Sequence, residues 1–341
     1  MLTRLKSPAS TKLGARPEGR FYTRPFFRSL CATSWIMLFQ LLGGCSCSSS
    51  PSTTSRTLHS PSTTSRTLHS PSTTSRTLQV LVCTAYVWEF QGAAATGLVK
   101  AADALRKPED DVVVFGFQET NASHRQQYFL QDLPGYQVFH DGGGCSNTLA
   151  VFTKQPMKTH CTVVQLPQQH PATPMRYALL MDLSALGIKI MSTHLLGGRY
   201  DDAYWMQCID GREQQLATIL QHRPAILIGD FNTDSRFEPP LADYWQKLLQ
   251  KAPGKTSADM RKYNTGARQY LASKGYTTAI ARDDLSCTTP FGTVVDWIYL
   301  DPQQLAYKIQ DWGVVEGIAK DFSDHKFPWV RIEVILPLLQ E

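Results

Sequence analysis

The sequence predicts an α/β sandwich, on three observations. Short β-branched apolar runs alternate with amphipathic stretches of helical spacing, two of the runs are joined as a hairpin, and the runs repeatedly stop at a polar residue. A purely doubly wound parallel sheet has no place for the hairpin. Packed mixed sheets with helices outside accept both kinds of connection. With 42% apolar and 10% aromatic residues in 341, the chain has enough material for a sizeable core.

The first 78 residues read differently from the rest. Seven basic residues and one acid occupy 1–28, and an apolar run follows from Leu30 to Leu42. That run is short for a membrane span and suits the core of a signal peptide. It closes on Leu42-Gly43-Gly44-Cys45, which resembles the lipobox of bacterial lipoproteins. The expectation is a signal peptide over 1–44, lipidation of Cys45, and a protein anchored to a membrane or exported to the bacterial cell envelope, with secretion as the alternative. Next comes a decapeptide, Pro-Ser-Thr-Thr-Ser-Arg-Thr-Leu-His-Ser, at 51–60 and again at 61–70, its first eight residues recurring at 71–78. One Leu per repeat cannot build a core, so 45–78 reads as a flexible tether. Extended, it reaches roughly 100 Å at ~3.3 Å per residue.

Within 79–341, the single expected domain, elements follow in order. Gln79 to Tyr86 reads as a strand, and 97–106 as a helix closed by Pro108. Asp111 to Glu119 is a second buried strand, followed by helical spacing near 123–132 and a short strand at 148–152. Tyr177 to Leu183 and Ile188 to Thr193 form the hairpin, through Ala185-Leu186-Gly187, and the second strand runs into His194. An amphipathic helix covers 208–221. Ala225 to Gly229 is a buried strand that stops at a glycine, with Asp230 and Asn232 just beyond. Helical candidates lie near 241–250 and 266–274. Thr293 to Leu300 is a strand carrying Asp296, and Tyr307 to Val314 and Trp329 to Ile335 are the last two.

Charge and cysteine content narrow the function. Residues 1–78 carry ten Lys and Arg against Glu18, leaving 24 basic and 28 acidic residues in the domain. A mildly acidic domain offers no bulk basic surface for duplex nucleic acid. The cysteines show no zinc-site spacing, and five in the domain is an odd number, so mostly single buried thiols are expected.

Apolar strands end in Glu119, His194, Asp230 with Asn232, and Asp296, and Asp324-His325 precedes one. If these ends meet, Glu119 and Asp324 offer oxygen ligands to a hard divalent cation. Asp230 and Asn232, two apart on an extended segment, would hold and activate a water. The histidines would donate hydrogen bonds to phosphate oxygens or supply a proton. Taken singly, each residue also suits a plain structural role: a capped strand end, a core histidine, a salt bridge, an Asx turn.

Together, Gln118-Glu119, Ser192-Thr193-His194-Leu195, Gly229-Asp230-Phe231-Asn232, Val295-Asp296-Trp297-Ile298 and Ser323-Asp324-His325 resemble the ordered motifs of the endonuclease/exonuclease/phosphatase superfamily, over about 80–334. The resemblance implies a four-layer α/β sandwich of two packed mixed β-sheets flanked by helices, like deoxyribonuclease I. It implies a hydrolase that cleaves a phosphodiester or phosphomonoester by in-line water attack. Glu119, with a contribution from Asp324, would bind Mg²⁺, with Mn²⁺ or Ca²⁺ as substitutes. Asp230 would activate the water, Asn232 would contact the phosphoryl oxygen, and His194 and His325 would stabilise charge, Asp296 fixing the tautomer of His325. Asn147 and Arg176 match substrate-contacting positions, and Arg212 and Gln215 a scaffold motif. One position departs: the first strand of the family ends Thr-x-Asn near the metal, and here it ends Thr84-Ala85-Tyr86. A surface-displayed binding module of the same fold without catalysis is therefore the second reading. The expected partners are a phosphate-ester substrate, either nucleic acid, a phospholipid headgroup or a small phosphodiester, and a membrane reached through the lipid anchor; a monomer is expected. The signatures of inositol polyphosphate 5-phosphatases are absent.

Overall fold

The computed structural model describes residues 75–87, 99–120, 133–141, 146–168, 175–197, 205–233, 249–250, 254, 256–281, 288–289, 293–315, 323 and 325–336. The expected signal peptide, Cys45, the repeats at 51–74, the helical spacing near 123–132 and Asp324 lie outside the described residues. All described residues belong to one unit, His69–Glu341.

Twelve strands form two six-stranded sheets. They are β1 (Arg76–Tyr86), β2 (Val112–Thr120), β3 (Gln137–His140), β4 (Ser146–Thr153), β5 (His160–Gln165), β6 (Tyr177–Leu183), β7 (Ile188–His194), β8 (Ile226–Asp230), β9 (Thr277–Thr278), β10 (Asp296–Leu300), β11 (Tyr307–Val315) and β12 (Phe327–Leu336). The first sheet runs β11-β12-β1-β2-β4-β3 and the second β5-β6-β7-β8-β10-β9. Both are mixed in the same way. A parallel pair, β1–β2 or β7–β8, sits at the centre with antiparallel strands on each side.

Alternation explains why the central strands read as unbroken apolar runs. In β1, Leu78, Val80 and Val82 enter the core between the sheets, while Leu81, Cys83 and Ala85 enter a second core on the outer face. In β10, Ile298 and Leu300 face inward and Trp297 and Tyr299 outward. A strand covered on both faces needs apolar residues at every position, each contributing about 1.5–3 kcal/mol relative to exposure. Helices α1 (Trp205–Gln221) and α2 (Ser257–Ser273) supply Leu216, Ile219, Ala267 and Leu271 to cover the second sheet. A helical segment at 99–103 covers the first with Val99 and Ala102. Four layers result, as expected. Among the described residues no helix is long and apolar enough to cross a membrane.

Three strands escape the sequence reading. β5 is largely exposed at a sheet edge and β9 has two residues, so neither carries an apolar signal. β3, also at an edge, is half-buried at most. Helix α2 begins at Ser257, well before 266. Its start is marked by a capping box, in which the Thr256 side chain accepts from Asp259 N–H and the Asp259 carboxylate accepts from Thr256 N–H.

Candidate active site

The topology gathers one set of strand ends at a common rim. Strands β1, β2, β7 and β8 finish there, and their antiparallel neighbours β12, β4, β6 and β10 begin there. Side chains alternate along a strand, so the register that builds the inter-sheet core continues to this rim as Tyr86 on β1, Gln118 on β2, His194 on β7, Asp230 on β8 and Asp296 on β10. Each inward face turns from apolar to polar at the same end. Gln118 bridges the sheets below the rim: it accepts from Thr84 Oγ1 at 3.2 Å and donates to Ser192 Oγ at 3.4 Å.

Glu119 should face outward by that alternation, and a backbone irregularity turns it. Its φ is 56°, a left-handed value rare for a residue with a side chain, and the β2–β4 register shifts between Phe117 and Thr120. The bulge re-aims the carboxylate toward the rim. There Tyr86 Oη donates to Glu119 Oε2 at 2.6 Å, and Arg176 Nη1 stands 3.8 Å from Oε1.

His194 is buried and bonded to Arg176, with Nη1 2.9 Å from Nδ1. A guanidinium can only donate, so Nδ1 is the acceptor and the proton sits on Nε2. Burial, Arg176 and His325 all disfavour a second proton and push the ring's pKa well below its ordinary value. The 3.7 Å approach of Nδ1 to Glu119 Oε1 therefore joins two acceptors and is no ion pair. Nε2 faces Asp230 Oδ2 at 3.4 Å.

Asp230 is almost fully buried, and its carboxyl is pushed up to about 7 by that burial and by the neighbouring Asp296, against the opposing pull of His325 and the Asn232 N–H. Asn232 does not continue the strand as expected. It lies in a turn with φ 51°, its own N–H donates to Asp230 Oδ1 at 2.7 Å, and its side-chain amide donates to Leu195 O at 3.0 Å. The Asx turn that rivalled a catalytic reading in the sequence is what fixes Asp230 in place. Gly229 permits the close β7–β8 approach beneath it: a Cβ there would fall 1.8 Å from Thr193 O.

The fourth side of the rim is Asp296 with His325. Asp296 Oδ2 lies 2.9 Å from His325 Nδ1, and Asp296 Oδ1 is buried with no hydrogen-bond partner among the described residues. Ser323 Oγ accepts from His325 N–H at 2.9 Å and donates to Tyr86 O at 2.6 Å. The Tyr86 ring stacks on His325, with centroids 4.2 Å apart, and meets His194 edge-on at 5.7 Å.

The structure thus brings Glu119, Arg176, His194, Asp230, Asn232, Asp296 and His325 into one connected group. Asn147 is set on the rim side of β4, donating to Tyr177 O at 2.7 Å next to Arg176, with its Oδ1 buried and unpartnered among the described residues. Arg212 and Gln215 stand apart and hold the segment after His194, through Arg212 Nε to Leu196 O at 2.6 Å and Leu196 N to Gln215 Oε1 at 2.9 Å. Gln118 and Ser323 had no assigned role from sequence. Their positions inside the Gln-Glu and Ser-Asp-His motifs are the signal that could have flagged them.

Asp230, Asp296 and His325 each bring one ligand atom to within 4.8 Å of the others, a set whose chemistry suits a divalent ion. Glu119 differs. One of its oxygens holds the Tyr86 hydrogen, a guanidinium stands beside the other, and among the described residues it belongs to no such group of three. A hard cation needs several oxygen ligands, and Glu119 with these neighbours does not fit it.

Comparison with known proteins agrees with this architecture. The model of the endonuclease/exonuclease/phosphatase family matches residues 88–325, beginning just past Tyr86. By structure, the chain is similar to the inositol polyphosphate 5-phosphatase domain of SPsynaptojanin, solved with inositol (1,4)-bisphosphate and calcium ion. The TM-score is 0.51 at 15% identity, covering 77% of this chain and 85% of that one. Similar too are endonuclease/exonuclease/phosphatase family proteins from Bacteroides thetaiotaomicron (TM-score 0.50, 13% identity, 78% and 98% covered) and Bacteroides vulgatus (0.50, 15%, 75% and 99%). No curated protein matches the sequence. Because the family model spans well over half of the chain and the two-sheet fold agrees, the chain belongs to the endonuclease/exonuclease/phosphatase family, whose members are phosphoester hydrolases.

Proposed function

We propose that this protein hydrolyses a phosphodiester or phosphomonoester by in-line attack of water, with no covalent enzyme intermediate. The observation that carries it is the meeting of Asp230, Asp296 and His325 within 4.8 Å, with His194 on the other side of Asp230 at 3.4 Å. Asp230 accepts the proton of the attacking water, and a carboxyl whose pKa is pushed up to about 7 is matched to that task near neutral pH. His194 presents an Nε2 proton, and His325, oriented by Asp296, is the second donor toward oxygens that gain charge as the phosphoryl group transfers. Arg176, and Asn147 through its unpartnered Oδ1, contact the substrate. Mg²⁺ would add positive charge at the phosphoryl oxygens when bound.

The test is release of alcohol from a monoester, a simple phosphodiester, single-stranded DNA and phospholipid vesicles by the purified unit 69–341, which keeps all of β1, alongside the Asp230→Ala protein. Turnover of at least one substrate that falls by about 10²–10⁴-fold in Asp230→Ala is expected. Unchanged turnover in a folded Asp230→Ala protein sinks the assignment.

The chain's address belongs to the same proposal: a cleaved leader, a lipid on Cys45, and the repeats as a tether that holds the domain off a membrane. Metabolic labelling with a clickable fatty acid should mark the full chain and not its Cys45→Ser variant. Equal labelling of the two would overturn it.

A further inference from the structure

We infer that Tyr86 occupies the cation seat at Glu119, so that the resting site carries no divalent ion there and depends on Arg176 for its fixed positive charge. The inference rests on the site assignment above and concerns what fills it. The Tyr86 hydroxyl is 2.6 Å from Glu119 Oε2, a short bond in which the phenol hydrogen points at the oxygen that a cation would need. A phenol bonded in this way supplies Glu119 with a hydrogen-bond donor and supplies a metal with no amide oxygen, the group that the family carries at this position. The second carboxylate oxygen has Arg176 Nη1 at 3.8 Å. The glutamate is thus neutralised by a guanidinium and capped by a hydroxyl, and an incoming dication meets a like charge.

The placement is not incidental. The ring stacks on His325, meets His194 edge-on, and is held from behind where Ser323 donates to the Tyr86 carbonyl. Moving the phenol out of the seat disturbs both histidines. Glu119 itself sits at a left-handed φ in a bulge that aims it at Tyr86, so the contact is built by the backbone of both strands.

Mn²⁺ binding, followed by electron paramagnetic resonance, tests this on the purified domain and three variants: Tyr86→Asn, Tyr86→Phe and Tyr86→Asn/Glu119→Gln. Tyr86→Asn restores an amide oxygen beside Glu119 and is expected to bind Mn²⁺ at least tenfold more tightly than the parent. Tyr86→Phe removes only the hydroxyl and keeps the stack on His325. It is expected to fall between them, and it stands in if the asparagine variant fails to fold. The gain should vanish in the double variant, which separates the Glu119 seat from any ion held by Asp230, Asp296 and His325. Parent and variants binding within twofold of each other, or a gain that survives loss of Glu119, would overturn the inference. Turnover of the parent should persist in EDTA, while that of Tyr86→Asn becomes stimulated by Mg²⁺. If no protein in the set turns over any ester while the Mn²⁺ pattern holds, hydrolysis is refuted and the occupied seat stands.

Discussion

The rings of Tyr86 and His325 lie nearly parallel, 20° between planes and 4.2 Å between centroids, with the first strand of the fold touching the segment that opens the last. His325 is thereby held on three sides: by the stack, by Asp296 at Nδ1, and by Ser323 at its backbone N–H. A ring fixed in this way cannot turn to exchange its two nitrogens without breaking a bond to a buried carboxylate.

That fixation predicts the effect of Asp296→Asn. The amide has the same shape, so the buried position is filled and the fold should survive. It carries no charge, and it can present an N–H to Nδ1, which reverses the tautomer. Turnover should fall by about 10²–10⁴-fold with KM little changed. The hydrogen-bonded Nδ1 proton of His325 should disappear from the downfield proton spectrum. Loss of turnover with that proton still present would show that Asp296 acts elsewhere.

Arg176 is predicted to govern the protonation of His194. Burial comes first in depressing that pKa, and the guanidinium bonded to Nδ1 comes second. Arg176→Met removes the second cause and leaves burial and the smaller effect of His325. The pKa of His194 should rise toward its ordinary 6.5 without reaching it, as read from the pH dependence of its ring nitrogens. An unmoved titration would mean that burial and His325 keep the ring neutral without Arg176.

Much of this was legible in the sequence because chemistry and alternation coincide. Apolar runs ending in Glu119, His194 and Asp230 announced both the strands and the rim, whereas Asp296, expected at a strand's end, opens β10. What alternation could not tell was where it fails. Glu119 reaches the site only through a left-handed residue, and Asn232 leaves the strand to turn back on Asp230. Both depend on φ values that residue type does not dictate. The Tyr86 substitution was visible, but the bond to Glu119 was not, since β1 and β2 pair through their backbones at Tyr86 and Gln118.

The closeness of the two sheets sets a steric limit at Gly116. It lies on the inward face of β2, and a Cβ added there would stand 2.6 Å from Ile228 Cδ1 and 2.9 Å from Ser192 Oγ. Ile228 and Ser192 belong to the strands that carry Asp230 and His194, so crowding here is felt two residues from each. Gly116→Val should destabilise the domain by about 1–3 kcal/mol, the usual range for overpacking, measured as a lower midpoint in urea. An unchanged midpoint would mean that the inter-sheet space can widen at no cost.

Asp230 makes stability depend on pH in an unusual direction. Its folded pKa, about 7, lies above the ordinary 3.8, chiefly because the carboxylate is buried and stands beside Asp296. Between those two values the folded chain keeps a proton that the unfolded chain has released, so stability falls as pH rises through this window and levels off above it. An asparagine at this position has no proton to lose. It can still accept the Asn232 N–H, and it removes a charge repelled by Asp296. In EDTA, Asp230→Asn should therefore melt above the parent at pH 8, with a much smaller difference at pH 5, while its turnover is lost. The most active ionisation state of the site is then its least stable one. A difference in melting temperature that does not grow with pH would show that the folded carboxyl ionises in its ordinary range, unraised by burial.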